Sequence, residues 1–157
     1  MTASTSKPIA NAATSLREPA EREFAEELAA LAREDKPQKP PNWRLSPWAV
    51  VTYLMGGKLD SGAKITPKYV GQRRLMEIAV ATLTTDRALL LLGLPGTAKG
   101  WVSEHLAAAI SGNSTLLVQG TAGTGEEAMR YSWNYALLLA KGPTREALVA
   151  SPVLHAM

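Results

Sequence analysis

Read from its apolar positions, the chain divides into helical-period segments separated by proline- and glycine-rich breaks, with two short runs that lack helical period. In "PAEREFAEELAALARED", Phe24, Leu28, Leu31 and Ala32 fall at helical spacing, with Pro19 near the start and acids in the first turn. The prolines of "KPQKPPN" end that helix, since each lacks a donor and pushes the residue before it out of the helical region. Ser46-Pro47 predicts the next start, serine as N-cap and proline at the first helical position. Trp48, Val50, Val51, Tyr53, Leu54 and Met55 then put apolar side chains on every side before Gly56-Gly57, which predicts a buried helix. Trp43 and Trp48 are read as packing residues, with an exposed docking surface as the alternative.

Farther on, "VGQRRLMEIAVATLTTD" aligns Leu75, Ala79 and Leu83 beside Met76 and Val80, an amphipathic helix. "RALLLL" breaks the period. A short continuous apolar run ending in glycine predicts a parallel strand buried on both faces. Helical spacing returns from Ala98 to Ile110, with Val102, Leu106, Ala109 and Ile110 inward and Gly112-Asn113 at the end. "STLLVQG" predicts a second strand. Thr124, followed by Glu126 and Glu127, predicts the cap of a last helix carrying Met129, Trp133, Ala136, Leu137 and Ala140 on one face and stopped by Gly142-Pro143. This order is a βαβ pattern, so the fold class is α/β with a parallel sheet. Residues 1–18, rich in Ala, Ser and Thr, are expected to be disordered. The division is a helical N-terminal extension and proline-rich linker over 1–44, an appendage to a domain over 45–157.

Composition narrows the chemistry. The chain has no cysteine and two histidines, His105 and His155, which excludes disulfides and thiol catalysis and leaves little for a metal site. A net charge of +3 with scattered basic residues gives no footprint for nucleic acid. No apolar run reaches membrane-spanning length and no apolar leader opens the chain, so a cytoplasmic protein without a membrane partner is expected.

The chemistry concentrates in "GLPGTAKG", residues 93–100. A strand that turns through glycines into a helix gathers backbone N–H groups around one concavity at the positive end of the helix dipole, a geometry that binds phosphate. Lys99 stands where an ammonium can fold over the β- and γ-phosphates. Against G-x-x-x-x-G-K-[ST], the first glycine is Gly93 and the lysine Lys99, but Ala98 replaces the second glycine and Gly100 the hydroxyl residue. Ala98 is accommodated if it keeps negative φ. Gly100 offers no oxygen to Mg²⁺, and Thr97 or Ser103 would have to serve through water. The glycine-rich "QGTAGTGEE" at 119–127 lacks a lysine and is read as a surface or partner-facing loop.

These residues resemble the Walker A loop of MoxR-type AAA+ ATPases, where proline after the second loop position and alanine before the lysine are usual. Val70-Gly71-Gln72 is similar to the family's valine-glycine-glutamine signature, and the resemblance spans residues 45–157. It implies an incomplete P-loop NTPase core and an ATP-driven, ring-forming, chaperone-like remodeller of protein complexes, working with like subunits and von Willebrand A-type proteins. By position, Gly93, Leu94, Pro95, Gly96, Thr97, Ala98, Lys99 and Gly100, with adjoining Trp101, would hold the triphosphate of ATP with Mg²⁺ weakly or indirectly bound. Lys99 would be the catalytic residue, and Tyr69 and Val70 would line the base. The family also requires an apolar strand ending in Asp-Glu, a sensor and an arginine finger. Glu104, Glu126, Glu127 and Glu146 follow no apolar run, and Asp86 precedes the first strand. The expectation is an N-terminal piece of a longer protein that binds ATP and hydrolyses it slowly or not at all. The alternative is a non-hydrolysing interaction module with a vestigial site, docking through Trp43, Trp48 and Trp133.

Overall fold

The computed structural model describes residues 17–85 and 87–157. The disorder expected of residues 1–18 falls outside that range except at Arg17 and Glu18, and Asp86 lies outside it too. The helices are α1 (Ala20–Glu23), α2 (Ala25–Glu34), α3 (Pro47–Met55), α4 (Arg73–Leu83), α5 (Lys99–Ile110), α6 (Tyr135–Lys141) and α7 (Pro152–Ala156). Two antiparallel pairs accompany them: β1 (Gly57–Lys58) with β2 (Lys64–Ile65), and β3 (Tyr131–Trp133) with β4 (Leu148–Ala150). No helix among the described residues is long and apolar enough to cross a membrane.

The centre is α3, packed against α2, α4 and α5. As the sequence predicts, Ser46 caps it, its Oγ accepting the Ala49 N–H at 3.3 Å, and Pro47 opens it. Ser46 also donates its own N–H to Asp35 Oδ2 at 2.7 Å, which ties the end of α2 to the start of α3. Gly56 ends α3 at φ 74, where a Cβ would lie 2.8 Å from Pro67 N, so only glycine fits that turn. Val50, Tyr53 and Leu54 are fully buried with Leu31, Ile65, Val80 and Leu106 around them. Trp43 packs against this core, whereas Trp48 is 45% exposed, so the packing expectation fails for Trp48.

The segment read as an extension does not stand apart. Phe24, at φ −112, breaks the predicted single helix into α1 and α2 and turns its ring onto Tyr53 and His105, with centroids 6.4 and 5.1 Å away. Ala30 and Leu31 enter the core, while Ala32, placed inward by the periodicity, is exposed. In α4 the buried residues are Met76, Ala79 and Val80, and Leu75 is half exposed.

Three predicted elements are corrected. Residues 87–94 form no strand: Leu89 and Leu91 pack on the core while Leu90 and Leu92 are 77% and 83% exposed. That alternation is the period of an extended chain with one covered face, and among the described residues no strand pairs with it. Residues 114–120 form no strand either, so no parallel sheet is present among the described residues. The predicted helix from Thr124 to Ala140 is split into a single 3-10 turn (Glu126–Ala128), β3 and α6. Thr124 does not cap it: its Oγ1 accepts the Thr121 N–H at 2.7 Å, and the cap of α6 is Asn134, whose Oδ1 accepts the Leu137 N–H at 3.2 Å. Tyr131 and Trp133, packed edge to face at 5.8 Å, prefer the extended chain that β4 completes. Gly142 ends α6 as predicted.

Because Leu31 is fully buried, Leu31→Ala is expected to lower stability by about 3 kcal/mol in urea unfolding. A loss below about 0.5 kcal/mol would return residues 20–34 to the status of an appendage.

Candidate functional site

The loop between residues 87–94 and α5 is built from backbone. Gly96 and Ala98 both take left-handed conformations, at φ 81 and φ 57, and Lys99 begins the helix directly after. From Gly93 through Trp101, Pro95 apart, no backbone N–H donates to a protein acceptor among the described residues. A run of free donors opening a twelve-residue helix is a concavity of positive potential. Ala98 does not meet the condition of negative φ under which its methyl would be accommodated. Its methyl sits where the pattern has glycine, and the left-handed backbone there costs an alanine about 1 kcal/mol.

Lys99 curls back over this loop. Its ammonium donates to Gly93 O at 3.0 Å, Leu94 O at 2.6 Å and Thr97 Oγ1 at 3.1 Å, while Thr97 Oγ1 donates to Leu94 O at 2.8 Å. The cation is thus held in the mouth of the loop by carbonyl oxygens, among donors that suit an anion. At Gly100 a Cβ would meet nothing within 4 Å, so the missing hydroxyl residue leaves open space, not a collapsed turn. Ser103, one turn on, spends its hydroxyl on Lys99 O at 2.8 Å.

The predicted base-side residues divide. Tyr69 packs on the core with its ring over Gly71, where a Cβ would lie 2.5 Å from the phenol oxygen. Val70 is 92% exposed. Trp101 turns away from the loop: its indole N–H donates to Lys68 O at 2.8 Å, its ring meets the His105 ring at 4.4 Å, and the Arg17 guanidinium lies 4.7 Å from its centroid. Expected beside the triphosphate, the Trp101 side chain is instead engaged with Lys68, His105 and Arg17 in this structure.

Under the loop lies a polar cluster that sequence reasoning missed. Lys68 is 7% exposed; its ammonium pairs with Glu27 at 2.6 Å, donates to Thr66 O and Oγ1, and lies 4.1 Å from the Phe24 ring centroid. Burial pushes the Lys68 pKa down, partly offset by Glu27. His105 is fully buried, its Nδ1 2.9 Å from Tyr53 Oη and its Nε2 without a partner among the described residues. Desolvation, reinforced by the Lys68 charge, lowers its pKa to about 4, and burial raises that of Tyr53. The available signal was a histidine among Val102, Leu106 and Ala109 on the inward face of α5. Among the described residues no group of three or more His, Cys, Asp or Glu is placed to hold a metal.

Residues 88–157 match the family described as AAA domain (dynein-related subfamily). Uncharacterized protein YehL of Escherichia coli (strain K12) is 44% identical over 141 residues, 90% of this chain and 38% of the relative. The chain therefore spans well under half the length of that curated relative, and the likeness is long enough to take in α1 to α4 as well as the loop. No solved structure matches. The family match, over somewhat less than half of the chain, supports an AAA+ P-loop NTPase module of α/β class for residues 88–157.

Two outcomes follow from this geometry. Ala98→Gly is expected to raise stability by about 0.5–1 kcal/mol in thermal or urea unfolding, since relief of the left-handed methyl outweighs the added chain entropy; a loss would show that the alanine is unstrained. His105 is neutral in the folded chain and protonates below pH 6.5 when unfolded, so the unfolded state binds more protons between pH 6.5 and about 4. Stability should fall through that window as acid is added, by up to about 3 kcal/mol, and His105→Leu should flatten that part of the profile. An unchanged slope in the variant would remove His105 as its source.

Proposed function

We propose that the chain is the ATP-binding portion of a MoxR-like AAA+ ATPase, a chaperone-like remodeller that acts in the cytoplasm with other AAA+ subunits in a ring and with von Willebrand A-type proteins. The observation that carries the nucleotide reading is the run of unengaged N–H groups from Gly93 to Trp101 with the Lys99 ammonium in their midst. On this reading Gly93 through Gly100 hold the triphosphate, Lys99 lies on the β- and γ-oxygens, and Tyr69 and Val70 line the base. The MoxR assignment, the remodelling role and the partners rest on the loop and the Val70-Gly71-Gln72 resemblance.

Hydrolysis by these residues is proposed to be slow or absent. Of the acids past the loop, Glu104 accepts from Arg17 and the Ala20 N–H, Glu126 pairs with Arg130 at 2.9 Å, and Glu146 pairs with Lys141 at 2.6 Å. Gly100 supplies no oxygen for Mg²⁺, and the free space at its Cα shows that the loop would take a side chain there. The second reading, an interaction module with a vestigial site, draws on the exposed Trp48.

A titration of the chain with a fluorescent ATP analogue, with and without Mg²⁺, separates the two. Saturable binding that Lys99→Ala weakens about tenfold or more is expected, because charge-assisted hydrogen bonds are lost. Gly100→Thr should add Mg²⁺ dependence. Absence of binding in the unmodified chain favours the interaction module.

A further inference from the structure

We propose that Trp101 is a positioning residue that fixes the Tyr69–Val70 segment against the Gly93–Gly100 loop, and so sets how much the nucleoside half of a purine nucleoside triphosphate adds to binding. The inference rests on the nucleotide reading above. The two halves of that site come from different parts of the chain, phosphate contacts from the backbone before α5 and base contacts from the segment before α4. Their separation must be set by something that joins them.

The indole does so. Trp101 lies in the first turn of α5, two residues past Lys99, and its N–H donates to Lys68 O at 2.8 Å, one residue before Tyr69. Among the described residues this is the one hydrogen bond or ion pair between residues 66–72 and the stretch from Gly93 to His105. A partly buried indole needs an acceptor for its single donor, and this carbonyl is the one it has. From the other side Lys68 and Tyr69 donate their N–H groups to Leu54 O at 2.8 and 3.0 Å, so α3 and α5 hold the segment between them. The indole ring is itself fixed by His105 at 4.4 Å and Arg17 at 4.7 Å, so it faces scaffold, not ligand. A role in spacing, not in contact, follows from that placement.

The test compares two ligands, ATP and inorganic tripolyphosphate, by calorimetry on the full 157-residue chain. Trp101→Phe keeps the ring and removes the donor. It should leave the tripolyphosphate Kd within about twofold and weaken ATP about threefold to tenfold, the range of one hydrogen bond. In a Tyr69→Leu background, the same substitution should change ATP binding by less than about twofold, since its effect runs through Tyr69. Trp101→His, which retains a ring N–H, should keep ATP affinity within about twofold and serves as the second variant if Trp101→Phe does not fold. Equal losses for both ligands, or an undiminished loss in the Tyr69→Leu background, would overturn the proposal. An unmodified chain that binds tripolyphosphate and gains nothing from the nucleoside overturns it while leaving the loop standing. One that binds neither overturns the nucleotide reading itself.

Discussion

The buried Lys68 ammonium is the constraint around which the rest is arranged. A charge this deep is tolerated only when opposite charge, acceptors and polarisable surface replace the water it has lost. Glu27 brings α2 to it, Thr66 closes the turn after β2, and Phe24 and Tyr53 supply ring faces from the α1–α2 junction and from α3. Its own carbonyl receives the indole of α5. One residue thus gathers three helices onto the segment that leads to the loop, and the helical layer before residue 45 becomes part of the machinery around it. Breaking such a pair leaves an uncompensated charge, which costs far more than the pair contributes when intact.

What the sequence made legible were the features set by neighbours in the chain. Ser46-Pro47, Gly56 and Gly142 mark helix ends through local hydrogen bonds and backbone freedom, and the structure has them there. The loop was readable for the same reason, since its glycines and Lys99 act on the adjoining backbone. Strands are set by partners far away, and "RALLLL" has the composition of a buried strand without a described neighbour to complete its ladder. Between residues 129 and 140 the spacing of Met129, Trp133 and Ala136 satisfied a helical period while Tyr131 and Trp133 satisfied an extended one. The remote pairing with β4 decided between them. Glu27 with Lys68 and Tyr53 with His105 are equally long-range, and no periodicity signals them.

The loop also shows how two departures from a sequence pattern differ physically. Ala98 alters backbone energy without removing a donor, so its N–H remains free alongside its neighbours'. Gly100 removes an oxygen and leaves the backbone relaxed. The first is a matter of stability and the second of metal chemistry.

The bare edges of residues 87–94 carry a consequence for how the molecule behaves in company. With Leu90, Leu92 and Leu94 turned outward and no described strand beside them, the segment presents a sticky ribbon to whatever polypeptide passes. During synthesis or at high concentration, unpaired backbone and outward leucines of this kind invite pairing with any extended segment that arrives.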